Sequence, residues 1–154
     1  MMKSTTKNPK IMPPTWMLIG LLLMLGLHFG FPVLQIVSNF WRLLGLLPLA
    51  MGITISYAAE RQFIQVRTTV HPFDETSQLV TNGFYSYSRN PMYFGMALSL
   101  LGVALMLGSL MPFGVIPLFL WLINIRFIHR EEKMLATQFG QDWLEYKAQV
   151  RRWI

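Results

Sequence analysis

The sequence predicts an all-α integral membrane protein with about four transmembrane helices, a cytoplasmic loop and amphipathic C-terminal helices. Hydrophobic residues make up 53% of the 154 residues and charged residues only 13%, well below the roughly 25% charged residues typical of soluble domains. The apolar residues are concentrated in four segments, which cover residues 15–34, 43–59, 92–110 and 113–128. Each segment approaches the ~20 residues that a helix needs to cross the hydrocarbon core of a bilayer.

The distribution of charge predicts how these spans are oriented. With four spans, all but one of the 13 Lys and Arg residues fall at or near one face of the membrane, and Arg42 is left opposite. Every Asp and Glu also lies on the basic side. Because Lys and Arg are enriched in cytoplasmic segments, we expect both termini in the cytoplasm, and we expect the protein in a bacterial inner (cytoplasmic) membrane.

The length predicts a single membrane-embedded domain. Its expected parts are a cytoplasmic N-terminus (1–14), two spans (15–59), a cytoplasmic loop (60–91), a helical hairpin (92–128) and a cytoplasmic tail (129–154). The first span follows three lysines but is too long for the apolar part of a signal peptide and lacks an Ala-x-Ala cleavage site. We therefore expect it to remain as an anchor.

Composition also excludes several classes of function. The net charge of +6 does not indicate nucleic-acid binding, because the basic residues are scattered among apolar segments and form no stripe along a phosphate backbone. The chain has no cysteine, which excludes disulfides, thiolate metal sites and a cysteine nucleophile. The histidines and acidic residues show no metal-ligand spacing, so we predict no metal site.

The junction between the loop and the third span is the first candidate for chemistry. Asn90 is a good helix N-cap and Pro91 suits the first helical turn, where a missing N–H costs nothing. The free N–H groups of such a helix start could bind a carboxylate or a phosphate. The alternative is a capped helix end without a ligand.

The loop and the tail flank this junction. The loop contains an Asn82-Gly83 turn signal and two tyrosines, and a loop of this length within a compact domain is usually functional or disordered. Apolar residues recur at helical spacing in the tail, at Leu135, Phe139, Trp143, Tyr146 and Val150. This stripe predicts an amphipathic helix that lies on the membrane or folds over the loop. Gly140 is expected to divide it into two helices.

Charged residues crowd the cytoplasmic end of the fourth span. Arg126 and Arg130 are four residues apart and share a helix face, and Glu131 and Glu132 follow them. Charges this close to hydrocarbon are costly unless they are paired or hydrated. Snorkelling to the interface is the competing interpretation for the arginines. His28 lies between Gly26 and Gly30, whose small size permits close helix contact, and we interpret it as a packing residue with a hydrogen-bond partner.

An ordered set of short motifs resembles the isoprenylcysteine carboxyl methyltransferase family, whose wider superfamily includes phospholipid N-methyltransferases. The matching pieces are Leu79-Val80-Thr81-x-Gly83-x-Tyr85, Ser88-Arg89-Asn90-Pro91-x-Tyr93-x-Gly95, Glu131-Glu132-x-x-Leu135, Phe139-Gly140 and Glu145-Tyr146. They extend over residues 70–154, and the first span and most of the second carry no motif. The chain departs from the family pattern at Asn90, where His is frequent, at Phe84, where Pro is common, and at Gln149, where a basic residue is common.

The resemblance implies S-adenosylmethionine as the methyl donor. It assigns the cofactor contacts to Gln78, Leu79, Val80, Tyr85, Asn90, Pro91, Met92, Tyr93 and Glu131. The chemistry of the residues agrees with these roles, because the cofactor carries a sulfonium, an ammonium and a carboxylate. Glu131 and the tyrosines could bind the cations, and the start of the third span could bind the carboxylate.

The acceptor is expected to be lipid-like, or small and apolar, with a nucleophilic carboxylate, amine or thiol at the cytoplasmic interface, among membrane lipids. Arg126 or Arg130 is the candidate for holding an anionic acceptor, and Glu132 or His129 could accept a proton from an amine. Two alternatives remain: an inactive membrane scaffold and a small four-span transporter. A transporter is expected to hold an ionisable residue near the bilayer midplane, and spans two and three contain none. The sequence does not indicate an oligomeric state.

Overall fold

The computed structural model describes residues 12–31, 34–65 and 78–154, and these residues are helical throughout apart from short connections. The α-helices are α1 (Pro13–Gly30), α2 (Leu46–Gln65), α3 (Pro91–Leu107), α4 (Val115–Ile123) and α5 (His129–Gln149). Short 3-10 turns lie at Trp41–Gly45, Gly83–Ser86 and Met111–Gly114. An isolated bridge joins Gln35 and Ser109. The predicted all-α class is confirmed.

Within the described ranges, three helical segments are long and apolar enough to cross a membrane, namely Pro13–Gly30, Trp41–Gln65 and Met111–Gln149, and α3 is a shorter apolar helix of 17 residues. These elements correspond to the four predicted apolar segments. The first helix ends at Gly30, earlier than the predicted residue 34. The second continues past the predicted end at residue 59 to Gln65, so the first six residues of the predicted loop belong to the helix. The dipeptide His71-Pro72 predicts a helix stop, since the residue before a proline disfavours the helical conformation, but it lies outside the described residues.

The fourth span and the tail form one continuous helical run, although the predicted parts are a span and a separate tail. The π-helix Asn124–Ile128 joins α4 directly to α5. The reason is visible in the sequence, since no Gly or Pro occurs between residues 118 and 139 to end the helix. Gly140, with φ 50° and ψ −113°, then kinks α5, so the predicted break at this glycine is confirmed. Such a backbone conformation favours glycine.

The main core lies among α1, α3 and α4. Its fully buried side chains include Met24, Leu100, Ile123 and Phe127. Gly20 of α1 faces this core, where a Cβ would be at ordinary van der Waals distance, 3.6 Å from Val115 and 3.8 Å from Leu100. Helix α3 packs against α1, α2 and α4 and is therefore the central helix.

Glycines set the distance between α2 and α3. A Cβ added at Gly102 would lie 2.6 Å from the Gly45 carbonyl oxygen, and one added at Gly95 would lie 2.6 Å from the Gly52 carbonyl oxygen. The Ser56 hydroxyl donates a hydrogen bond to the Met92 carbonyl across this contact, at 3.1 Å. Close backbone approach at small residues is typical of helix packing in membranes.

The close helix contact expected at Gly26 and Gly30 is not found. A Cβ at either position would have no described atom within 4 Å. The predicted partner of His28 is present, because His28 Nδ1 and Ser109 Oγ lie 2.7 Å apart in a hydrogen bond. This bond ties α1 to the connection after α3, at the end of the bundle opposite the charged residues.

The second half of α5 folds over the loop, one of the two expected arrangements. Trp143, Tyr146 and Val150 are buried, with Leu79, Leu135 and Phe139 packed against them. The Tyr146 hydroxyl donates a 2.6 Å hydrogen bond to the Tyr85 carbonyl. The apolar stripe predicted in the tail thus covers residues 79–85 and closes one side of the charged end of the bundle.

Candidate active site

One cavity of about 600 Å³ opens at the charged end of the bundle. Its walls come from the start of α1, the second half of α2, the segment before α3, the first turns of α3 and the length of α5. The residues that line it are Met12, Pro13, Pro14, Met17, Ile53, Ser56, Tyr57, Glu60, Phe63, Gln78, Leu79, Val80, Tyr85, Arg89, Asn90, Met92, Tyr93, Met96, Ser99, Glu131, Glu132, Met134, Leu135, Trp143 and Tyr146. Polar groups cluster on the α3–α5 side, and the α1 and α2 walls are mostly apolar.

A tyrosine and a glutamate connect α3 to α5 at this cavity. The Tyr93 hydroxyl donates a 2.6 Å hydrogen bond to Glu131 Oε1. Glu131 lies in α5, beyond the predicted end of the fourth span. Burial raises the pKa of Glu131 to about 7, partly opposed by the hydrogen bond from Tyr93 and reinforced by the charge of Glu132. A carboxylate that is costly to ionise because it is buried is suited to a cationic ligand, which would stabilise its charged form.

Two further tyrosines stay neutral at physiological pH. Burial raises the pKa of Tyr85 well above its usual value, and the neighbouring charge of Glu131 raises it further. Burial raises the pKa of Tyr146 to about 12, although the Arg89 charge acts in the opposite direction. Tyr85 also meets Phe63 edge to face, with ring centroids 5.1 Å apart. These residues therefore offer the cavity aromatic surface and hydroxyl groups rather than charge.

Two arginines share one glutamate at the edge of the cavity. Glu132 lies 3.1 Å from Arg89 Nη1, and Arg152 donates to it through both Nε (3.0 Å) and Nη2 (2.7 Å). The side chains of Arg89 and Glu132 are only 9% and 12% exposed. A buried ion pair needs good geometry to offset its desolvation, and the two-point contact of Arg152 with Glu132 provides it.

Arg89 is incompletely satisfied by these contacts. Its Nε atom is buried without a hydrogen-bond acceptor, and its Nη1 atom, although 3.1 Å from Glu132 Oε1, does not meet hydrogen-bond geometry. Its guanidinium lies 5.5 Å from the centre of the Trp143 ring. Burial lowers the pKa of Arg89, and the Glu132 charge acts against this shift. An arginine nevertheless remains protonated in proteins, so the cluster of Arg89, Arg152 and Glu132 carries one net positive charge beside the cavity.

Asn90 occupies the predicted N-cap position of α3, but its side chain makes no capping hydrogen bond. Its amide Nδ2 donates instead to the Arg152 carbonyl, at 3.0 Å. The Ser88 hydroxyl accepts a 3.1 Å hydrogen bond from the Asn90 backbone N–H. The capping prediction is therefore correct in position and wrong in the bond that the side chain makes, because the amide bonds to the C-terminal segment and not to the first turn of α3.

The structure brings most of the predicted site residues together. Of the predicted cofactor residues all but one line the cavity, and Pro91 is buried in the first turn of α3 beside it. Of the predicted catalytic residues, Glu132 lines the cavity. Arg126 and Arg130 are exposed and do not line it. The Arg126 guanidinium lies 6.0 Å from the centre of the Trp16 ring. What these residues bind stays a prediction.

Several lining residues were not singled out as site residues by the sequence. Arg89 lay inside a quoted motif, and its position beside Asn90 was the available signal. Trp143 and Tyr146 were assigned to an apolar stripe only. The contribution of α2, through Ser56, Glu60 and Phe63, had no sequence signal, because it depends on how α2 crosses α3.

The residues that line the cavity have the chemical groups that are needed to bind S-adenosylmethionine. A largely buried carboxylate at Glu131 and the aromatic rings around it suit a sulfonium and an ammonium group. The start of α3 and the unsatisfied donors of Arg89 suit a carboxylate. The apolar walls suit the less polar parts of the cofactor and of an acceptor.

Comparison with known proteins identifies the family of the chain. The family model described as phospholipid methyltransferase (PEMT) matches residues 40–142. The chain is 35% identical over 72 residues to the protein-S-isoprenylcysteine O-methyltransferase of Schizosaccharomyces pombe, a match over 47% of this chain and 30% of that protein. It is 38% identical over 63 residues to an uncharacterized protein of Haemophilus influenzae, over 41% of this chain and 100% of that protein.

A solved structure shares the fold. The eukaryotic intramembrane Ras methyltransferase ICMT (isoprenylcysteine carboxyl methyltransferase) superposes with a TM-score of 0.70 at 23% identity, over 92% of this chain and 51% of that one. The chain thus matches about a third of the yeast enzyme and about half of the solved structure. The family model covers two thirds of the chain, and the resemblance stated from the motifs is confirmed at the level of the superfamily. The chain belongs to the phospholipid methyltransferase family.

Proposed function

We propose that the protein is an S-adenosylmethionine-dependent methyltransferase of the membrane, which methylates a lipid-like or small apolar acceptor at the cytoplasmic interface. The observation that carries this proposal is the convergence of the cofactor residues on one cavity. Glu131 and Tyr93, from two different helices, meet at 2.6 Å in its wall. Family membership supports the reaction type. The expected alternatives, an inactive scaffold and a transporter, gain no support from the comparisons.

The two sides of the cavity suggest where each reactant lies. The polar side, with Glu131, Arg89 and the start of α3, suits the cofactor. The apolar side is lined by residues from α1 and α2, including Met17 and Ile53, and suits an acyl or prenyl group. Since both helices expose most of their surface, an acceptor with a lipid-like body can remain in the bilayer while its polar end enters the cavity.

The cofactor supplies a methyl group that its sulfonium already activates for displacement. The chain's own residues bind and orient the reactants and keep water away from them. Glu132 binds Arg89 and Arg152 through both of its oxygens, so its carboxylate is poorly placed to receive a proton. His129, the other candidate proton acceptor, is exposed and does not line the cavity. These observations favour a carboxylate or thiolate acceptor, which needs no general base, over an amine.

The first test of the proposal measures cofactor affinity by calorimetry on detergent-purified protein. Glu131→Gln should weaken binding by roughly 1 to 3 kcal/mol, the scale of a lost charge-assisted hydrogen bond. Because Glu131 titrates at about 7, a cationic ligand must displace its proton at lower pH. Wild-type affinity should therefore fall by up to about tenfold per pH unit below 7, and the variant should lose this dependence.

Unfolding of the empty protein controls for damage to the structure. Burial raises the pKa of Glu131 from 4.5 to about 7 in the folded state, so its contribution to stability is full below pH 4.5 and is lost as the pH rises to 7. At pH 8 the Glu131→Gln variant should unfold at the same temperature as wild type or higher. Unchanged affinity in such a folded variant would remove Glu131 from the cofactor site.

The acceptor is tested by methyl transfer to a panel of lipid-like carboxylates, amines and thiols, with radiolabelled cofactor. Transfer to a carboxylate or thiol is the expected result. The predicted role of Arg126 and Arg130 is tested in the same assay, since Arg126→Ala or Arg130→Ala should reduce transfer to carboxylates and leave cofactor affinity within a few-fold. A protein that binds the cofactor but methylates no acceptor in the panel would support the inactive scaffold.

The proposal also requires the cavity to face the cytoplasm. Reporter fusions at residue 1, near Gln78 and after Ile154 should all indicate the cytoplasmic side of a bacterial inner membrane, because the positive charges lie at that end. A periplasmic signal at any of these sites would contradict the orientation and would move the proposed reaction to the other face.

A further inference from the structure

The last five residues, 150–154, form a C-terminal strap across the charged end of the bundle. Val150 is buried with Trp143 and Tyr146 at one end of the strap, and Trp153 packs against the main core at the other. The strap therefore crosses from the segment before α3 to the junction of α4 and α5. These are the two parts of the chain that carry the polar wall of the cavity.

Arg152 bonds to both parts. Its side chain donates to Glu132 through Nε and Nη2, at 3.0 and 2.7 Å, and to the Asn124 carbonyl oxygen Oδ1 through Nη1, at 3.3 Å. Its backbone carbonyl accepts from Asn90 Nδ2 at 3.0 Å and from the Ser88 hydroxyl at 3.4 Å. The Arg89 backbone N–H donates to the neighbouring Arg151 carbonyl, at 3.0 Å.

Three residues that line the cavity are held by these bonds. Asn90 is itself a predicted cofactor contact, and Arg89 and Glu132 each lie next to one. Asn90 leads into the first turn of α3, which carries Tyr93, and Glu132 follows Glu131 in α5. Arg152 does not line the cavity. Its contacts also leave Glu132 oriented toward Arg89, whose Nη1 lies 3.1 Å from it.

We infer that Arg152 is a positioning residue, which sets the separation of the two halves of the cofactor site by binding Glu132 with its side chain and Asn90 with its carbonyl. The inference rests on the proposed function for its consequence in catalysis. It also gives a reason for Asn90, since an amide at this position has an N–H donor that reaches the strap. Methyl transfer is sensitive to displacements of about 1 Å in the positions of the reacting groups. A loosened strap should therefore weaken cofactor binding and slow methyl transfer together.

Arg151 provides a matched control. It is the adjacent residue, has the same charge and is exposed, and its described contact with the loop is made by the backbone carbonyl, which a substitution retains. Arg152→Ala should lower cofactor affinity at least tenfold and lower kcat, and Arg151→Ala should change both by less than twofold. Arg152→Lys should be intermediate, because one ammonium group cannot bind both oxygens of Glu132 and Asn124 together.

A second readout uses the empty protein. Because the chain has no cysteine, spin labels can be attached specifically at Tyr87→Cys and Ala136→Cys, two exposed positions on the loop and on α5. The distance distribution between the labels should broaden in the Arg152→Ala background and stay narrow with Arg151→Ala. If Arg152→Ala does not fold, Arg152→Lys in the same measurements decides the inference.

The outcomes separate the inference from the proposed function. A narrow distribution together with unchanged affinity in the Arg152 variants would overturn the positioning role, and so would a broadened distribution with unchanged affinity. If the wild-type protein binds no cofactor and transfers no methyl group, the proposed function fails. The spin-label distances would still decide whether Arg152 holds the two parts together.

Discussion

Replacing Gly95 by leucine is expected to destabilise the bundle strongly. A Cβ at this position would overlap the Ser56 hydroxyl and would lie 2.6 Å from the Gly52 carbonyl oxygen and 2.9 Å from the Ser56 backbone nitrogen. Two of these atoms belong to the backbone of α2, so no side-chain rotation can relieve the overlap. Overpacking in a dense core costs about 1 to 3 kcal/mol and sometimes more, and separating two long helices belongs at the upper end of that range.

Gly26→Leu is the matched control for this prediction. Gly26 also lies within an apolar helix, and a Cβ there would have no described atom within 4 Å. The measurement is the fraction of each variant that remains monodisperse in size-exclusion chromatography after heating in detergent. The monodisperse fraction of Gly95→Leu should disappear at a much lower temperature than that of Gly26→Leu. Equal stability of the two variants would show that α2 and α3 do not meet as described.

The second large effect is expected at Glu132. Glu132→Ala leaves Arg89 and Arg152 beside each other with no carboxylate between them. The Arg89 side chain is only 9% exposed, so its charge would be both buried and unpaired. Removing one partner of a buried ion pair costs about 3 to 5 kcal/mol, a large part of the stability of a typical domain.

Glu145→Ala is the corresponding control on the same helix. Glu145 is exposed and accepts a single 3.3 Å hydrogen bond from Gln141 Nε2, and an exposed contact of this kind contributes little. Thermal unfolding followed by tryptophan fluorescence should show a much lower midpoint for Glu132→Ala than for Glu145→Ala. Since Arg89 lines the cavity, cofactor affinity should fall as well. A Glu132→Ala variant that unfolds with the wild-type midpoint would contradict the proposed role of this ion cluster.

The positions of the helices could be predicted because they follow from local properties. The apolar segments approach the length that a helix needs to cross a bilayer, and the charge is concentrated at one end of them. Gly140 was recognised as a break because a positive φ favours glycine. The sequence prediction separates α4 from α5 at the change from apolar to charged residues. The structure joins them, because no residue there ends a helix.

The candidate site was predicted residue by residue and not as an arrangement. Its members are spread from Gln78 to Glu131, and the ordered motifs brought them onto one list through resemblance to a family. Neither the motif nor the periodicity could indicate that Tyr93 donates to Glu131, or that Arg126 lies over Trp16 and outside the cavity. Such contacts depend on the rotation of each helix about its axis.

The sequence by itself determined the membrane class, the all-α fold, the family and the end of the bundle that carries the polar residues. These properties depend on composition, on helical periodicity and on short motifs, all of which are local in the chain. The tertiary structure decided which charged groups pair, which wall α2 contributes and where the strap at 150–154 attaches. Arg152 pairs with Glu132 across 20 positions of sequence because α5 is kinked at Gly140 and ends at Gln149, which brings the strap back to the start of α5.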